Sequence, residues 1–490
     1  MIHRKSLAAR LLVVAALAGL ACAVNPATGR RQISLVGEAD EIAMGRQADP
    51  QIVAEFGLYD DAGLAAYVDG VGQKLAALSH RPDLKFTFRV LDSAVMNAFA
   101  LPGGYVYVTR GILAHMNSEA ELAIVLGHEI GHVTARHSVA QQSKQTLFGV
   151  GLQLGAVFSP QVARYGASLQ GGLGLLFLKF SRDDENQADD LGVTYALRAG
   201  YDAEAGAHFF EVLDRESKEA GQTLPGWLST HPAPANRVQH THDLAVTRAP
   251  QHPGATRVAA ADLKTRLDGL VFGPDPRQGF MAGDAFQHPG LRFQITLPHG
   301  WTVNNLPSAV IAVEPQKQAM LQLTLEKSEG ATPAQYATQL AGQVGATAEG
   351  GSAERIAGAE AYLVVLHLVQ AEKPITVQAG FVTRAGEASL YQVVGYTTPE
   401  RFAGIRPGFL AAIRSLQPLR DPAALRIEPN RVRLETLSGA TTLERAVTRA
   451  GALPVPLGTV ALLNNLQPAS TLGPGFQLKL VRGTYHPAGS

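Results

Sequence analysis

Five consecutive residues, His128-Glu129-Ile130-Gly131-His132, carry the sharpest chemical signal in the sequence. Positions i and i+4 share one face of a helix, so both imidazoles can reach a single metal ion. Glu129, offset by one position, falls where it can take a proton from a water activated at that metal. Leu122, Val125 and Leu126 precede the motif, and a carboxylate and two imidazoles buried among apolar neighbours are costly without partners. A third ligand is needed. The position six residues after His132 is Ser138, which excludes a histidine there. His137 lies five residues on, about 140° round a helix at about 100° per residue, and is expected on the helix surface. The single cysteine, Cys22, belongs to the N-terminal segment. That leaves a carboxylate from another helix. Glu185 and Asp189 are again i and i+4. One can ligate while the other accepts a hydrogen bond from a ligand imidazole's second nitrogen.

The elements that must position these groups are legible in outline. Ser118 with Glu121 forms a capping box, and the helical pattern that follows runs to about Ser143. Ser181 with Asp184 starts a second helix ending near Ala199-Gly200, and Asp202 starts another that runs to about Ala220. Upstream, Gly37–Glu55 and Asp60–Leu78 have apolar residues at helical spacing, while Lys85–Leu91 and Tyr105–Thr109 alternate as strands do. Residues 146–180 are rich in Gly, Leu and Phe, but Gln153, Pro160 and Arg164 interrupt them. They read as a buried or lid-forming helical hairpin rather than a membrane-spanning pair. His240 and His242 read as a solvated helix face.

Three ordered motifs support a resemblance. HEIGH at 128–132, SRDDENQAD at 181–189, and Ser229-Thr230-His231-Pro232 with Arg237 resemble the zinc metallopeptidases of family forty-eight, the HtpX/BepA type. NPATGRRQ at 25–32 resembles that family's exported lipoprotein branch. The resemblance spans about residues 25–247. It implies one zinc ion per chain held by His128, His132 and Glu185, with Asp189 behind a ligand and Glu129 as general base. It places His231 and Arg237 on the oxyanion side of catalysis, or His231 as a cap on the zinc. Asn97, Gly103, Gly104 and Tyr105 fall in a segment similar to the family's edge strand, which takes substrate as an added strand. The implied fold is mainly helical, of gluzincin type, with a small sheet.

The remaining sequence bounds the rest. The 490 residues hold two to four domains at about 100–200 residues each. Forty-two basic residues balance 42 acidic ones, which argues against nucleic acid as a partner. One cysteine excludes an intramolecular disulfide framework. His3, Arg4, Lys5 and Arg10 followed by apolar Leu11–Ala23 read as an export signal, residues 1–23. Cys22 after Gly19-Leu20-Ala21 is similar to a bacterial lipobox, which implies a lipid-attached N-terminus, a periplasmic location at the outer membrane and an extended tether over 24–34. Domain boundaries are expected at 24–247 for the peptidase, 248–284 for a linker and 285–418 for an α+β accessory domain. Six β-rich runs and two helical patterns, at Pro333–Val344 and Pro399–Ile413, define that accessory domain. Residues 428–483 have a strand, helix, strand pattern. With Leu463-Asn464-Asn465-Leu466 and Leu472-Gly473-Pro474-Gly475, they resemble a LysM peptidoglycan-binding module, although the 439–443 turn lacks its usual Asp. The whole reads as an α+β multidomain envelope endopeptidase acting on misfolded or stalled proteins. The alternative is a chaperone-like or peptidoglycan-tethered scaffold that uses the same cleft without turnover.

Overall fold

The computed structural model describes residues 22–148, 180–220, 231, 237–370, 373–384 and 386–486. Most of the expected export signal, the Gly- and Phe-rich stretch at 149–179, and Ser229, Thr230 and Pro232 lie outside these residues. The chain forms two compact units: residues through Gly273 together with Asn430–Gly483, and Pro274–Pro429 with the last residues. No helix among the described residues is long and apolar enough to cross a membrane.

The first unit begins with a hairpin, β1 (Cys22–Val24) against β2 (Arg31–Ile33). The tether expected over 24–34 is therefore paired backbone, closed by a turn with Gly29 at positive φ. Helices α1 (Glu38–Phe56) and α2 (Ala62–Ala76) follow. A three-stranded sheet comes next, β3 (Thr87–Leu91), β4 (Ala98–Leu101) and β5 (Tyr105–Thr109), in the order β3-β5-β4. Strands β3 and β5 are parallel, β4 and β5 antiparallel. After the short α3 (Arg110–His115) comes α4 (Glu119–Thr134), every residue of which is buried. Such a helix has no solvent face and must satisfy all its polar groups internally. At its start Ser118 accepts from Glu121 N–H at 3.2 Å. The Glu121 carboxylate reaches Asn117 N–H rather than Ser118 N–H, so only half of the expected capping box forms. Glu119 accepts from Tyr201 at 2.7 Å and Arg257 at 2.8 Å, and also bonds Tyr67.

The helix does not continue to Ser143 as its periodicity predicts. It stops at Thr134, Arg136 takes a left-handed φ of 58°, and α5 (His137–Phe148) starts afresh. A non-glycine residue pays for that conformation with steric strain. Here the Arg136 guanidinium is held by Glu41 at 2.7 Å and by Val36 O at 2.9 Å. Then come α6 (Arg182–Arg198), with the complete Ser181/Asp184 capping box, α7 (Ala203–Ala207) and α8 (Phe209–Ala220). The helix expected from Asp202 to Ala220 is thus broken at His208. Helices α9 (Arg237–Arg248) and α10 (Ala260–Leu267) complete this part. Leu263, Leu267 and Leu270 belong to the same core as α4, so residues to Gly273 pack as part of this unit where a linker was expected.

The second unit carries a seven-stranded antiparallel sheet in the order β12-β13-β14-β15-β11-β10-β9. Its strands are β9 (Thr302–Asn305), β10 (Ala309–Val313), β11 (Ala319–Lys327), β12 (Thr347–Ile356), β13 (Ala359–Gln370), β14 (Lys373–Thr383) and β15 (Ser389–Thr397). A smaller sheet joins β6 (Phe280–Ala282), β7 (Ala285–His288), β8 (Phe293–Thr296) and β16 (Gln417–Pro418). Helix α11 (Pro333–Gln343) packs one set of side chains, including Val364 and Leu366. Helix α12 (Pro399–Arg414) packs the alternate set, including Ala361 and Leu363. Gly380 and Gly395 leave room for Ile413 and Phe409.

The last segment belongs to the first unit. Strand β17 (Arg431–Thr436) pairs with β20 (Gln477–Arg482), β18 (Thr441–Thr442) pairs with β19 (Thr471–Leu472), and α13 (Leu443–Ala450) and α14 (Leu457–Leu463) lie between them in sequence. Val432, Leu462, Leu463 and Val481 join the core around α4. The buried Lys479 donates to Ala114 O and Met116 O at 2.7 Å each, capping the carbonyl end of α3.

Candidate metal centre

The site is built where α4 crosses α6. A Cβ on Gly127 would meet Gly192 O at 2.9 Å, one on Gly131 would meet Ala188 O at 3.1 Å, and one on Gly192 would meet His128 N at 2.8 Å. Interaxial distance is set by the side chains at the contact. These small residues therefore let the helices approach until the histidines of one face the carboxylates of the other.

His128, His132, Glu185 and His231 each offer one donor atom, all within 4.8 Å of one another, and all four residues are buried. His128 Nε2 and His132 Nε2 are 3.0 Å apart. Glu185 lies 3.7 Å from the first and 3.6 Å from the second. Zinc–ligand bonds of about 2.1 Å put tetrahedral donors about 3.4 Å apart, a spacing these distances bracket. Two imidazole nitrogens this close can share either a proton or a cation, and with a carboxylate beside both of them the donor set fits zinc.

The surroundings fix the charges. Asp189 Oδ1 accepts from His128 Nδ1–H at 2.9 Å, which turns Nε2 towards His132 and the metal position. Arg237 binds Asp189 at 2.6 Å and Glu185 at 3.0 Å. Burial works against the Arg237 charge, but the two carboxylates outweigh it and its pKa is raised. For Glu185 and Asp189 burial alone would raise the pKa. His231 and Arg237 at Glu185, and Arg237 and His128 at Asp189, reverse this, and both carboxyls fall below their ordinary values. Burial, reinforced by the neighbouring imidazoles, pushes His132 well below its usual range, so it is neutral as a metal ligand must be. His231 Nδ1 lies 2.9 Å from Glu185 Oε1 and its Nε2 lies 3.7 Å from Glu129 Oε1. Burial opposes protonation of His231, yet these carboxylates prevail and its pKa is raised.

Residues 63–245 match peptidase family M48. The chain carries an M48 metallopeptidase domain. The beta-barrel assembly-enhancing protease of Yersinia pestis is 32% identical over 48% of this chain and 49% of its own length. The mitochondrial metalloendopeptidase OMA1 of Arabidopsis thaliana is 36% identical over 33% of this chain and 32% of its own. The OMA1 of Schizosaccharomyces pombe is 31% identical over 44% and 64% respectively. The chain thus spans less than two thirds of each of these relatives.

Within the M48 domain the structure gathers His128, Glu129, His132, Glu185, Asp189, His231 and Arg237 into one buried cluster. Asn97, Gly103, Gly104 and Tyr105 lie elsewhere, around β4. Asn97 precedes the strand and exchanges backbone and hydroxyl hydrogen bonds with Thr109. Gly103 and Gly104 turn between β4 and β5 at positive φ, where a Cβ would strike Ile42 Cα or Lys85 O at 2.7 Å. Tyr105 opens β5 opposite Leu101. Among the described residues β4 pairs with β5 alone, at the edge of its sheet, and it packs against α4. Cys22 stands in β1, its backbone paired with Ile33.

His137 corrects an expectation. It is buried, not on the helix surface, and its Nδ1 lies 3.0 Å from His132 Nδ1. The break at Arg136 invalidates the helical angle and swings the ring back onto the ligand. Phe180 also escapes a sequence reading: its ring lies 4.1 Å from that of His132 and 5.5 Å from that of His231. Its only signal is its place just before the Ser181 cap.

Proposed function

We propose that this protein is a zinc-dependent endopeptidase of the bacterial cell envelope that cuts misfolded or stalled envelope proteins. The observation that carries the reading is the buried His128, His132 and Glu185 triad with Glu129 beside it, in a domain similar to a beta-barrel assembly-enhancing protease.

Zinc, when bound, supplies a Lewis acid that polarises the peptide carbonyl and lowers the pKa of water to about 7. Glu129 takes the proton of the attacking water and returns it to the leaving amine. Asp189 holds His128 with Nε2 facing the metal, and Arg237 neutralises the two buried carboxylates. His231, held by Glu185 and facing Glu129, would add a fourth donor to any metal bound there. This geometry supports a capped resting state, in which His231 must withdraw before it or Arg237 can serve the oxyanion. Substrate adds to the outer edge of β4, with the Gly103-Gly104 turn and Tyr105 at one end and Asn97 at the other. Backbone pairing there suits unfolded segments of varied sequence.

The location rests on the N-terminal residues. We assign Cys22 as the lipid-attachment site of an outer-membrane lipoprotein facing the periplasm. Incorporation of labelled fatty acid that persists in a Cys22→Ser variant would overturn that assignment. Residues 428–483 keep a LysM-like order of elements, and peptidoglycan is their candidate ligand, tested by co-sedimentation with purified sacculi.

The decisive experiment is casein hydrolysis by purified protein, with and without a chelator, beside Glu129→Gln. Zinc-dependent cleavage lost in the variant is expected. Cleavage that persists in the variant refutes the base, and zinc-loaded protein that binds casein without cutting it favours the chaperone-like alternative.

A further inference from the structure

The NPATGRRQ segment, which the peptidase mechanism does not use, is hydrogen-bonded to the scaffold of the metal centre. Asn25 is buried. Its Oδ1 accepts from the backbone N–H of Ala27 at 2.9 Å and of Thr28 at 3.2 Å. This turn fixes which end of the amide is which, because only an oxygen can accept there. Its Nδ2 shares two protons among Ala135 O at 3.1 Å, Gln32 Oε1 at 3.1 Å and, at the longer 3.4 Å, Gln187 Oε1. Ala135 is the residue at which the metal-binding helix ends, and Gln32 Nε2 donates to the same carbonyl at 3.2 Å.

From Gln187 a route through His137 leads to the metal ligand His132. Gln187 Oε1 lies 2.8 Å from His137 Nε2, and His137 Nδ1 lies 3.0 Å from His132 Nδ1. Each link has one polarity. A neutral His132 that offers Nε2 to a metal carries its proton on Nδ1 and donates it to His137 Nδ1. His137 must then carry its own proton on Nε2 and needs an acceptor, which Gln187 Oε1 supplies. Asp184 Oδ1 stands farther off, 3.7 Å from the same nitrogen. Turning the Gln187 amide over would set its NH2 against both His137 Nε2–H and the NH2 of Asn25. The Asn25 donor therefore holds Gln187 oxygen-inward.

The geometry points to Asn25 as a positioning residue that, through Gln187 and His137, selects the tautomer of His132 that can bind zinc. This rests on the zinc reading of the site. It gives the N-terminal turn a task that a tether would not have: the backbone N–H groups of Ala27 and Thr28 fix the Asn25 amide, and through it Gln187 and His137.

The test uses full-length protein with labelled histidine. Long-range proton–nitrogen NMR of the zinc-loaded wild type should show His132 and His137 protonated on Nδ1 and Nε2 respectively. Asn25→Asp keeps an oxygen for the turn but sets an acceptor against Gln187. The amide should turn over, His137 should lose the acceptor for its Nε2–H, and zinc affinity by chelator competition should fall about 10–100-fold. Gln187→Glu keeps an acceptor for both neighbours and should retain both the tautomer and the affinity. A zinc-loaded wild type with His137 protonated on Nδ1 overturns the proposal whether or not any variant folds. So does a folded Asn25→Asp variant with unchanged affinity. Failure of the zinc reading is a different result: zinc binding that survives His128→Ala and Glu185→Gln would sink that reading while leaving the tautomer measurement to stand alone.

Discussion

His231 Nδ1 lies 2.9 Å from Glu185 Oε1, so the residue that closes the metal cluster is gripped by one of the cluster's own ligands. With an open state populated at about 10% or less, removing the grip raises turnover about tenfold or more. His231→Ala should therefore cleave casein faster than the wild type, with zinc content unchanged. Lost activity with zinc retained would assign His231 to the catalytic step instead.

Among the described residues, Arg237 is the one guanidinium that contacts both Asp189 and Glu185. Replacing it by methionine leaves two buried carboxylates uncompensated. We expect Arg237→Met to lower the stability of the metal-free protein by about 3–5 kcal/mol in urea titrations. The deficit should shrink when zinc is added, because the cation restores part of the lost charge. A deficit that is the same with and without zinc would show that Arg237 acts through packing, for example on Phe210, whose ring lies 4.9 Å away.

The α4–α6 crossing predicts a steric failure. In Gly192→Val the new Cβ would sit 2.8 Å from His128 N. Overpacking of this kind costs about 1–3 kcal/mol, and here it also parts Glu185 from the histidines. Far-ultraviolet circular dichroism should stay helical while zinc stoichiometry falls. Full zinc loading in this variant would show that the helices approach for another reason.

The second unit should be acid-labile. His288 Nδ1 accepts from Leu291 N–H at 3.0 Å, and burial, opposed by a backbone hydrogen bond, lowers its pKa to about 4. The unfolded value is about 6.5. The unfolded chain therefore binds the extra proton first, and stability is full above pH 6.5 and lost as pH falls towards 4. The shift corresponds to about 3 kcal/mol. His288→Gln should flatten this dependence in thermal unfolding between pH 7 and 4. An unchanged slope would place the acid sensitivity elsewhere.

Residue by residue, the legible part of the molecule was what local spacing dictates. HEIGH, the Ser181/Asp184 cap and the β-rich runs of β10, β11 and β13 to β15 all depend on neighbours in sequence, and the structure has a helix, a capping box and strands there. The parts that stayed hidden depend on distant partners. Arg136 ends the metal helix without a glycine or proline to announce it, because Glu41 and Val36 hold it from far up the chain. Strand β12 is exposed along most of its length and carries Gly350-Gly351, so it has no apolar alternation to read. Asn25 sits 110 residues from the carbonyl it binds, and no local pattern connects them.

The C-terminal segment has a consequence for how this chain comes into being. Val432, Leu462, Leu463 and Val481 complete the core that surrounds the metal helix, and Lys479 closes α3. Between Gly273 and Asn430 most of the second unit is synthesised. Domains fold in the order they emerge, so the second unit can finish while the first still lacks a wall. The peptidase half therefore gains these core residues only after most of the second unit has been made, so its core closes across a long separation in sequence.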